Sequence, residues 1–332
     1  MKKLLLLAAA AIGLGLATAA PARAADFSKE KIVVIVKATT SQYWATVFDG
    51  ARAAAKVLGV QISTLGATSE ADVAGEVTIM ENAIASKPTA IVIAATNAAA
   101  LAKPIEHATA AGIPVIVVDS DANTSKYVTF LATNNHTAGM KAAAELARCI
   151  KARTGKVAGQ MAYLTALAGA QSLNDRDQGF LDGLKKFPGL KVVAHRTGNN
   201  DPARALTDSE DILTRNPHLV GIFADNEIEG DGAGTALSEK NLGSKICLVS
   251  FDTSSEEINF VKKGVIDALI VQNPFMMGYA GVWYALAAAH GVVFPHYVDS
   301  GASVVTKANI NSPAMAGLLD PKKYSLAPFL GE

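Results

Sequence analysis

The chain has 332 residues, with 30 Lys plus Arg against 30 Asp plus Glu, so its formal net charge is zero. That balance, without basic runs, excludes a nucleic-acid binder, which needs clustered Lys and Arg. Half of the residues are hydrophobic and only 18% charged, which excludes a disordered chain.

The N-terminus carries the first signal. Lys2 and Lys3 precede an uncharged apolar run, Leu4 to Ala20, and Pro21-Ala22-Arg23-Ala24 supplies the A-x-A pattern read by a signal peptidase. Residues 1–24 are expected to be a signal peptide cleaved near Ala24, which implies an exported, periplasmic protein. A membrane anchor is the alternative, because the run approaches the ~18 residues that suggest a span; its small residues and the A-x-A site favour cleavage. No cysteine follows the run, so a lipid anchor is not indicated, and later apolar stretches are short and punctuated. The remainder, roughly 308 residues, is long for one core and comfortable for two.

Beyond the leader, short apolar runs alternate with helical periodicity. Lys31–Ala38, Val60–Leu65, Ala90–Ala94, Pro114–Val118 and Tyr127–Ala132 read as strands, and their continuous Val/Ile character suits a parallel sheet covered on both faces. Trp44, Val47, Phe48, Ala51, Ala55 and Leu58 recur at helical spacing between the first two, as do Val73, Val77, Met80 and Ile84 in the next interval. After a helix over 136–151 the alternation restarts. Strands are expected at 156–164, 192–196, 219–224, 245–251 and 265–271, with helices at 171–187, 202–215, 227–239 and 254–263. A helix over 275–290 and a strand over 297–305 close the pattern. The fold class is therefore α/β, with two successive doubly wound parallel-sheet units. Of the two cysteines, Cys149 ends a helical stretch and Cys247 falls in a buried-looking strand. An exported compartment permits a bridge, but two separate buried thiols are expected.

In open parallel sheets ligands bind beyond the carboxyl ends of the strands, and here nearly every such end carries an amide or a carboxylate. These groups suit vicinal hydroxyls, because they donate and accept in fixed planar patterns. Other apparent motifs carry less. Gly230-Asp231-Gly232-Ala233-Gly234 lies inside a helical stretch and lacks the strand-to-helix turn of a dinucleotide site. The acidic run from Asp225 lacks the closing glutamate of a calcium loop. The six histidines have no metal spacing, and neither G-x-S-x-G nor a Walker A motif occurs. No metal or cofactor is expected.

The order and spacing of SQYWATVFDGA, GIPVIVVDSD, FLATNN, NDRDQGF, FADNE, LVSFD, IVQNP and VDSGASVVT resemble the ribose-binding-protein family of periplasmic substrate-binding proteins for ABC transporters, over nearly the whole chain after the leader. RDQGF and VDSGASVVT are more similar to the fructose-binding branch. The resemblance implies a type I periplasmic binding protein fold: two lobes joined by a three-segment hinge, one lobe at about 27–132 plus 274–302, the other at 133–272 plus 303–332. The crossings would lie near Ala132-Thr133, Gln272-Asn273 and Gly301–Val304. It also implies a pocket. Ser41, Tyr43 and Trp44 take the place of an amide and stacking aromatics, with Trp44 as the stacker and one of the two rings partly packed away. Asp119 matches the aspartate that grips sugar hydroxyls, and Asn226, Asp252 and Gln272 match polar ligands of the other lobe and hinge. Asn174, Asn200 and Ser120 stand where ribose binders carry an arginine, a phenylalanine and an arginine, which argues against ribose itself. Arg176 either supplies the missing guanidinium or pins its loop, and Asp121 and Glu227 fall near the same place. Each polar residue has a structural alternative: Asp119, Asn226 and Asp252 can cap helices, Gln272 can act in the hinge, and the aromatics can be core.

The implied function is capture of a neutral monosaccharide, or a related polyol or amino sugar, by hinge closure, with delivery to a membrane permease by a monomeric protein. A chemoreceptor would recognise the same closed form. An exported enzyme is the third class, without a motif to support it.

Overall fold

The computed structural model describes residues 26–323. The expected signal peptide with its cleavage near Ala24, and the last residues of the second unit (324–332), lie outside the described residues.

The chain alternates strand and helix throughout: β1 (Lys31–Val36), α1 (Gln42–Leu58), β2 (Gln61–Gly66), α2 (Val73–Ala85), β3 (Ala90–Ile93), α3 (Ala98–Ala110), β4 (Val115–Val118) and β5 (Thr129–Ala132). Then follow α4 (Asn135–Thr154), β6 (Gly159–Thr165), α5 (Gln171–Leu184), β7 (Leu190–Thr197), α6 (Pro202–Arg215), β8 (Leu219–Ala224), α7 (Glu227–Glu239), β9 (Cys247–Phe251), α8 (Ser255–Lys263) and β10 (Ala268–Val271). The last elements are α9 (Pro274–Ala289), β11 (Tyr297–Asp299), β12 (Ser303–Val305) and α10 (Pro313–Leu319). They build two six-stranded sheets, ordered β11-β5-β4-β3-β1-β2 and β12-β10-β9-β8-β6-β7. The strand order of the second sheet repeats that of the first, although the direction of the outermost strand differs.

Alternation along β1 shows why the strands read as continuously apolar. Ile32, Val34 and Val36 enter the core beneath α1 and α9, whereas Val33 and Ile35 enter a second core with Met80, Leu101 and Ile105. Both faces are covered, so both must be apolar. The second sheet does the same: Leu248 packs on one side of β9 and Cys247 and Val249 on the other.

The chain passes three times from one sheet's layer to the other: after β5, after β10, and between β11 and β12. The last passage corrects the expectation of one strand over 297–305. β11 runs parallel to β5 of the first sheet and β12 antiparallel to β10 of the second. Between them Gly301 adopts φ 76°, a left-handed conformation that breaks extended pairing. Thr133 donates to the Gly301 carbonyl at 2.9 Å, and Asp299 accepts from the Asn134 amide at 3.1 Å, so two passages are tied together.

Glycines let the helices that carry the site approach closely. A Cβ at Gly50 of α1 would fall on the Phe275 carbonyl of α9, and one at Gly278 of α9 on the Val47 carbonyl of α1. Gly139 of α4 and Gly179 of α5 face Arg176 and His136 carbonyls in the same reciprocal way. An added methyl at any of the four forces the backbones apart.

The two cysteines are joined in a disulfide, contrary to the expectation of separate thiols. Cys149 lies on the buried face of α4, which packs on β9, and this brings the two Cα atoms to 6.0 Å despite 98 residues of separation. That distance lies within the bridging range. Closing so long a loop restricts the unfolded chain, an effect of about 2–4 kcal/mol. Replacing both cysteines by alanine, or adding reductant, should therefore lower the melting temperature in thermal unfolding. An unchanged midpoint would show that the bridge contributes nothing.

Candidate functional site

The site is built at the carboxyl ends of both sheets, where the chain leaves equivalent strands in the same unusual way. After β4, Asp119 sits at φ 62°, and after β9, Asp252 sits at φ 65°. Left-handed backbone is costly for most residues, and Asp is among the few non-glycine types that tolerate it. The two carboxyl groups come to opposite walls of one narrow cavity. Lys37, Ser41, Tyr43, Trp44, Glu70 and Asp119 form one wall. Ser172, Leu173, Arg176, Asn200, Asn226, Glu227, Ile228, Asp252 and Gln272 form the other.

On the first wall Asp119 is held at both oxygens. Lys37 approaches Oδ1 at 2.8 Å and the Tyr43 hydroxyl donates to Oδ2 at 2.8 Å. Burial by itself pushes the Asp119 carboxyl up, but the Lys37 charge and the hydrogen bonds from Lys37 and Tyr43 bring it below the ordinary aspartate value. Lys37 Nζ also donates to Ser120 Oγ at 2.6 Å, and Ser120 in turn bonds Ser172. Trp44 donates from its indole to Glu70 Oε1 at 2.6 Å, and burial raises the Glu70 carboxyl. Tyr43 and Trp44 meet edge to face. Ser41 caps α1, accepting from the Tyr43 amide at 3.1 Å, and so sets the direction in which both rings leave the helix.

On the second wall Arg176 is almost wholly buried. Its Nε and Nη2 donate to Asn135 Oδ1 at 3.1 and 2.8 Å, Nη1 bonds the Asp225 carbonyl, and the guanidinium lies 3.9 Å over the Phe251 ring. It stands 3.8 Å from Asp252 Oδ2. Gln272 donates to Asp252 Oδ1 at 2.8 Å, while its own Oε1 is buried without a protein partner. Burial raises the Asp252 carboxyl to about 6 against the pull of Arg176 and Gln272. Asn226 caps α7, its Oδ1 accepting from the Glu229 amide at 2.9 Å, and its Nδ2 donates to Asn200 Oδ1 at 2.6 Å.

The walls touch each other around the cavity. Ser41 donates to Glu227 at 2.6 Å, Asp121 N–H to Gln171 at 3.0 Å, Ala98 N–H to the Gly169 carbonyl at 3.2 Å, and Ser255 N–H to Gln42 at 3.2 Å. The two lobes are thus in direct contact around the cavity.

Of the residues expected at the site, Ser41, Tyr43, Trp44, Asp119, Arg176, Asn200, Asn226, Asp252 and Gln272 line the cavity. Two do not. Asn174 is exposed on α5, because helical geometry turns it away from the face that buries Leu173 and Arg176. Ser120 is buried behind Lys37 and positions it. Asp121 likewise stays off the cavity, whereas Tyr43 and Trp44 both line it and both also pack into the core beneath α1. Sequence reasoning left out Lys37, Glu70, Ser172, Leu173 and Ile228 and placed Glu227 only near the site. Lys37 had a signal, a lone charge near the end of an apolar strand; Glu70 in its loop had none.

A shut polar cavity at the facing ends of two doubly wound sheets defines a two-lobed binding protein. Residues 32–291 match the periplasmic binding protein domain, and the chain belongs to that family. The D-allose-binding periplasmic protein of Escherichia coli is 26% identical over 82% of this chain and 86% of its own length. A carbohydrate transporter solute-binding protein from Agrobacterium radiobacter, in complex with D-arabinose, is 44% identical with a TM-score of 0.86, covering 88% of this chain and 99% of that one. An ABC transporter solute-binding protein from Agrobacterium vitis, bound with α-D-tagatopyranose, is 30% identical with a TM-score of 0.82 over 88% and 99% of the two chains.

Removing the cation that offsets buried Asp119 should reverse the pH behaviour of that carboxyl. In the parent protein its depressed value contributes stability above the ordinary aspartate range, lost as pH falls. In Lys37→Met, burial prevails and the carboxyl rises. The variant should lose about 3–5 kcal/mol near pH 7, with the deficit shrinking toward pH 4. Urea unfolding at several pH values measures this; a pH-independent deficit would refute the pairing.

Proposed function

We propose that the cavity captures a neutral monosaccharide, a pentose or a hexose, and that the shut form delivers it to the permease of an ABC importer. One observation carries the reading: carboxylates, amides, two cations and two aromatic residues, brought from facing strand ends and the segments that follow them, line one cavity. Asp119 and Asp252 accept from hydroxyls, Asn226 and Gln272 donate and accept, Lys37 and Arg176 donate, and Trp44 covers an apolar sugar face. The sugars in the complexes of the structural neighbours support the substrate class.

Closure follows from where these groups reside. Residues 27–132 plus 274–302 and residues 133–272 plus 303–332 would move as two bodies about the three chain passages, each carrying half of the site. A ligand touching both halves favours the shut form by its differential affinity. Each hydrogen bond contributes about 1 kcal/mol net. Several are therefore needed to reach micromolar affinity, about −8 kcal/mol, after the cost of immobilisation. Export through the leader, with cleavage near Ala24, places the capture step in the periplasm, as in the named allose-binding relative.

A thermal-shift screen of the mature protein tests the reading. D-arabinose, D-fucose, D-tagatose or a close stereoisomer should raise the melting temperature by mass action. A shift produced only by amino acids or peptides would overturn it. Asp119→Ala should abolish the shift while the sugar-free protein still unfolds cooperatively; an undiminished response would remove Asp119 from the site.

A further inference from the structure

One cavity residue has a hydrogen-bonding atom that no protein group meets. Glu227 is the first residue of α7, almost wholly buried, and lines the cavity. Its Oε1 accepts the Ser41 hydroxyl proton at 2.6 Å across the gap between the two walls. The direction is set by Ser41 itself, whose oxygen already accepts from the Tyr43 amide. Glu227 Oε2 is buried without any protein partner. A carboxyl oxygen left so in a polar cavity is costly unless something meets it.

We propose that Glu227 reads the ligand only when the lobes are shut: its Oε1 latches the second lobe to Ser41 of the first, and its Oε2 meets a sugar hydroxyl. The inference rests on the sugar-binding reading above and adds to it a specificity residue and a cause for coupling closure to recognition. In an open form Ser41 and Glu227 separate and the carboxyl faces water, so the shut form alone offers a ligand the pre-positioned Oε2.

The surroundings decide which proton state does this. Burial raises the shut-form carboxyl to about 8, and Asp252 and Asp231 on its own side push the same way, while the Ser41 hydroxyl and the Tyr43 backbone N–H oppose them. Glu257, buried nearby, adds a further acidic neighbour. Of the cations on the cavity, Lys37 is committed to Asp119, and Arg176 to Asn135 and the Asp225 carbonyl. Glu70 and Asp119 on the facing wall bring no positive charge. At neutral pH the shut form therefore holds Glu227 as a carboxylic acid, with Oε1 accepting from Ser41 and Oε2 donating to the ligand. The open form, in water, has released that proton. Closure takes up one proton between the ordinary glutamate value and about 8, so affinity is highest below this window and falls through it by up to about tenfold per pH unit. Asp252, raised to about 6, adds a contribution confined to the acid end.

The test is titration calorimetry with D-arabinose, D-fucose and D-tagatose from pH 6 to 9, repeated at pH 7 in buffers of different ionisation enthalpy. The parent protein should lose at least tenfold in affinity across that range and take up about one proton per sugar at pH 7. Glu227→Gln preserves one acceptor and one donor but cannot titrate. Its affinity should stay level from pH 7 to 9, its proton uptake at pH 7 should vanish, and at pH 9 it should bind more tightly than the parent. Glu227→Ala, which has neither contact, should bind more weakly than the parent at pH 6, with its folding checked by circular dichroism. Level binding by the parent across the range, an unchanged pH profile in Glu227→Gln, or parental affinity in folded Glu227→Ala would overturn the inference while leaving sugar binding intact. Binding of no sugar by any of the three proteins would remove the sugar reading and this inference with it.

Discussion

Burial of charge between two lobes is the constraint on which the rest of the structure depends. Asp119 and Asp252 leave equivalent strands in the same left-handed conformation and end in a space largely closed to water. An unpaired carboxylate there would be expensive. Each has a cation nearby, Lys37 at 2.8 Å for one and Arg176 at 3.8 Å for the other. The pairings differ in kind. The Lys37 contact is tight and depresses the Asp119 carboxyl, whereas Arg176 is held by Asn135 and the Asp225 carbonyl and leaves Asp252 raised. One wall therefore presents a firm anion and the other a carboxyl that titrates closer to neutrality.

Arg176 and the aromatics beside Asp119 are placed by how the helices bearing them pack. Gly50 and Gly278 let α1 lie backbone to backbone on α9, and Gly139 and Gly179 do the same for α4 and α5. The first contact places Ser41, Tyr43 and Trp44; the second places Arg176. The Cys149–Cys247 bridge ties α4 to the start of β9, the strand that leads into Asp252. Scaffold and site are thus one system in each lobe, and the lobes meet through polar contacts such as Ser41–Glu227 and Ala98–Gly169. Polar contacts at a shared surface exchange readily with water, which suits the proposed opening and shutting of the lobes.

Much of this was legible along the chain for a definite reason. A strand covered on both faces must be apolar throughout, so Lys31–Val36 and Cys247–Phe251 stand out. The residue after such a strand is exposed to the cleft, so Asp119 and Asp252 could be found by position alone. Asn226 was legible twice, as a helix cap and as a cavity residue, and it is both. Misreadings arose where a neighbour in space decided the outcome. Asn174 and Arg176 are two residues apart, and the turn of α5 sends one to solvent and the other into the cavity. Glu70 comes in from a loop because the Trp44 indole needs an acceptor.

By itself, the sequence determined the alternation of strands and helices, the doubling of that pattern and the polar strand ends, because each depends on residues close in the chain. Only the tertiary structure decided that Cys149 meets Cys247, that residues 297–305 divide between two sheets, and that Ser41 finds Glu227 across 186 positions. These outcomes depend on distances between segments that local pattern does not encode. The proton affinity of a buried carboxyl belongs with them, since burial and neighbouring charge set it, and neither exists before the chain has folded.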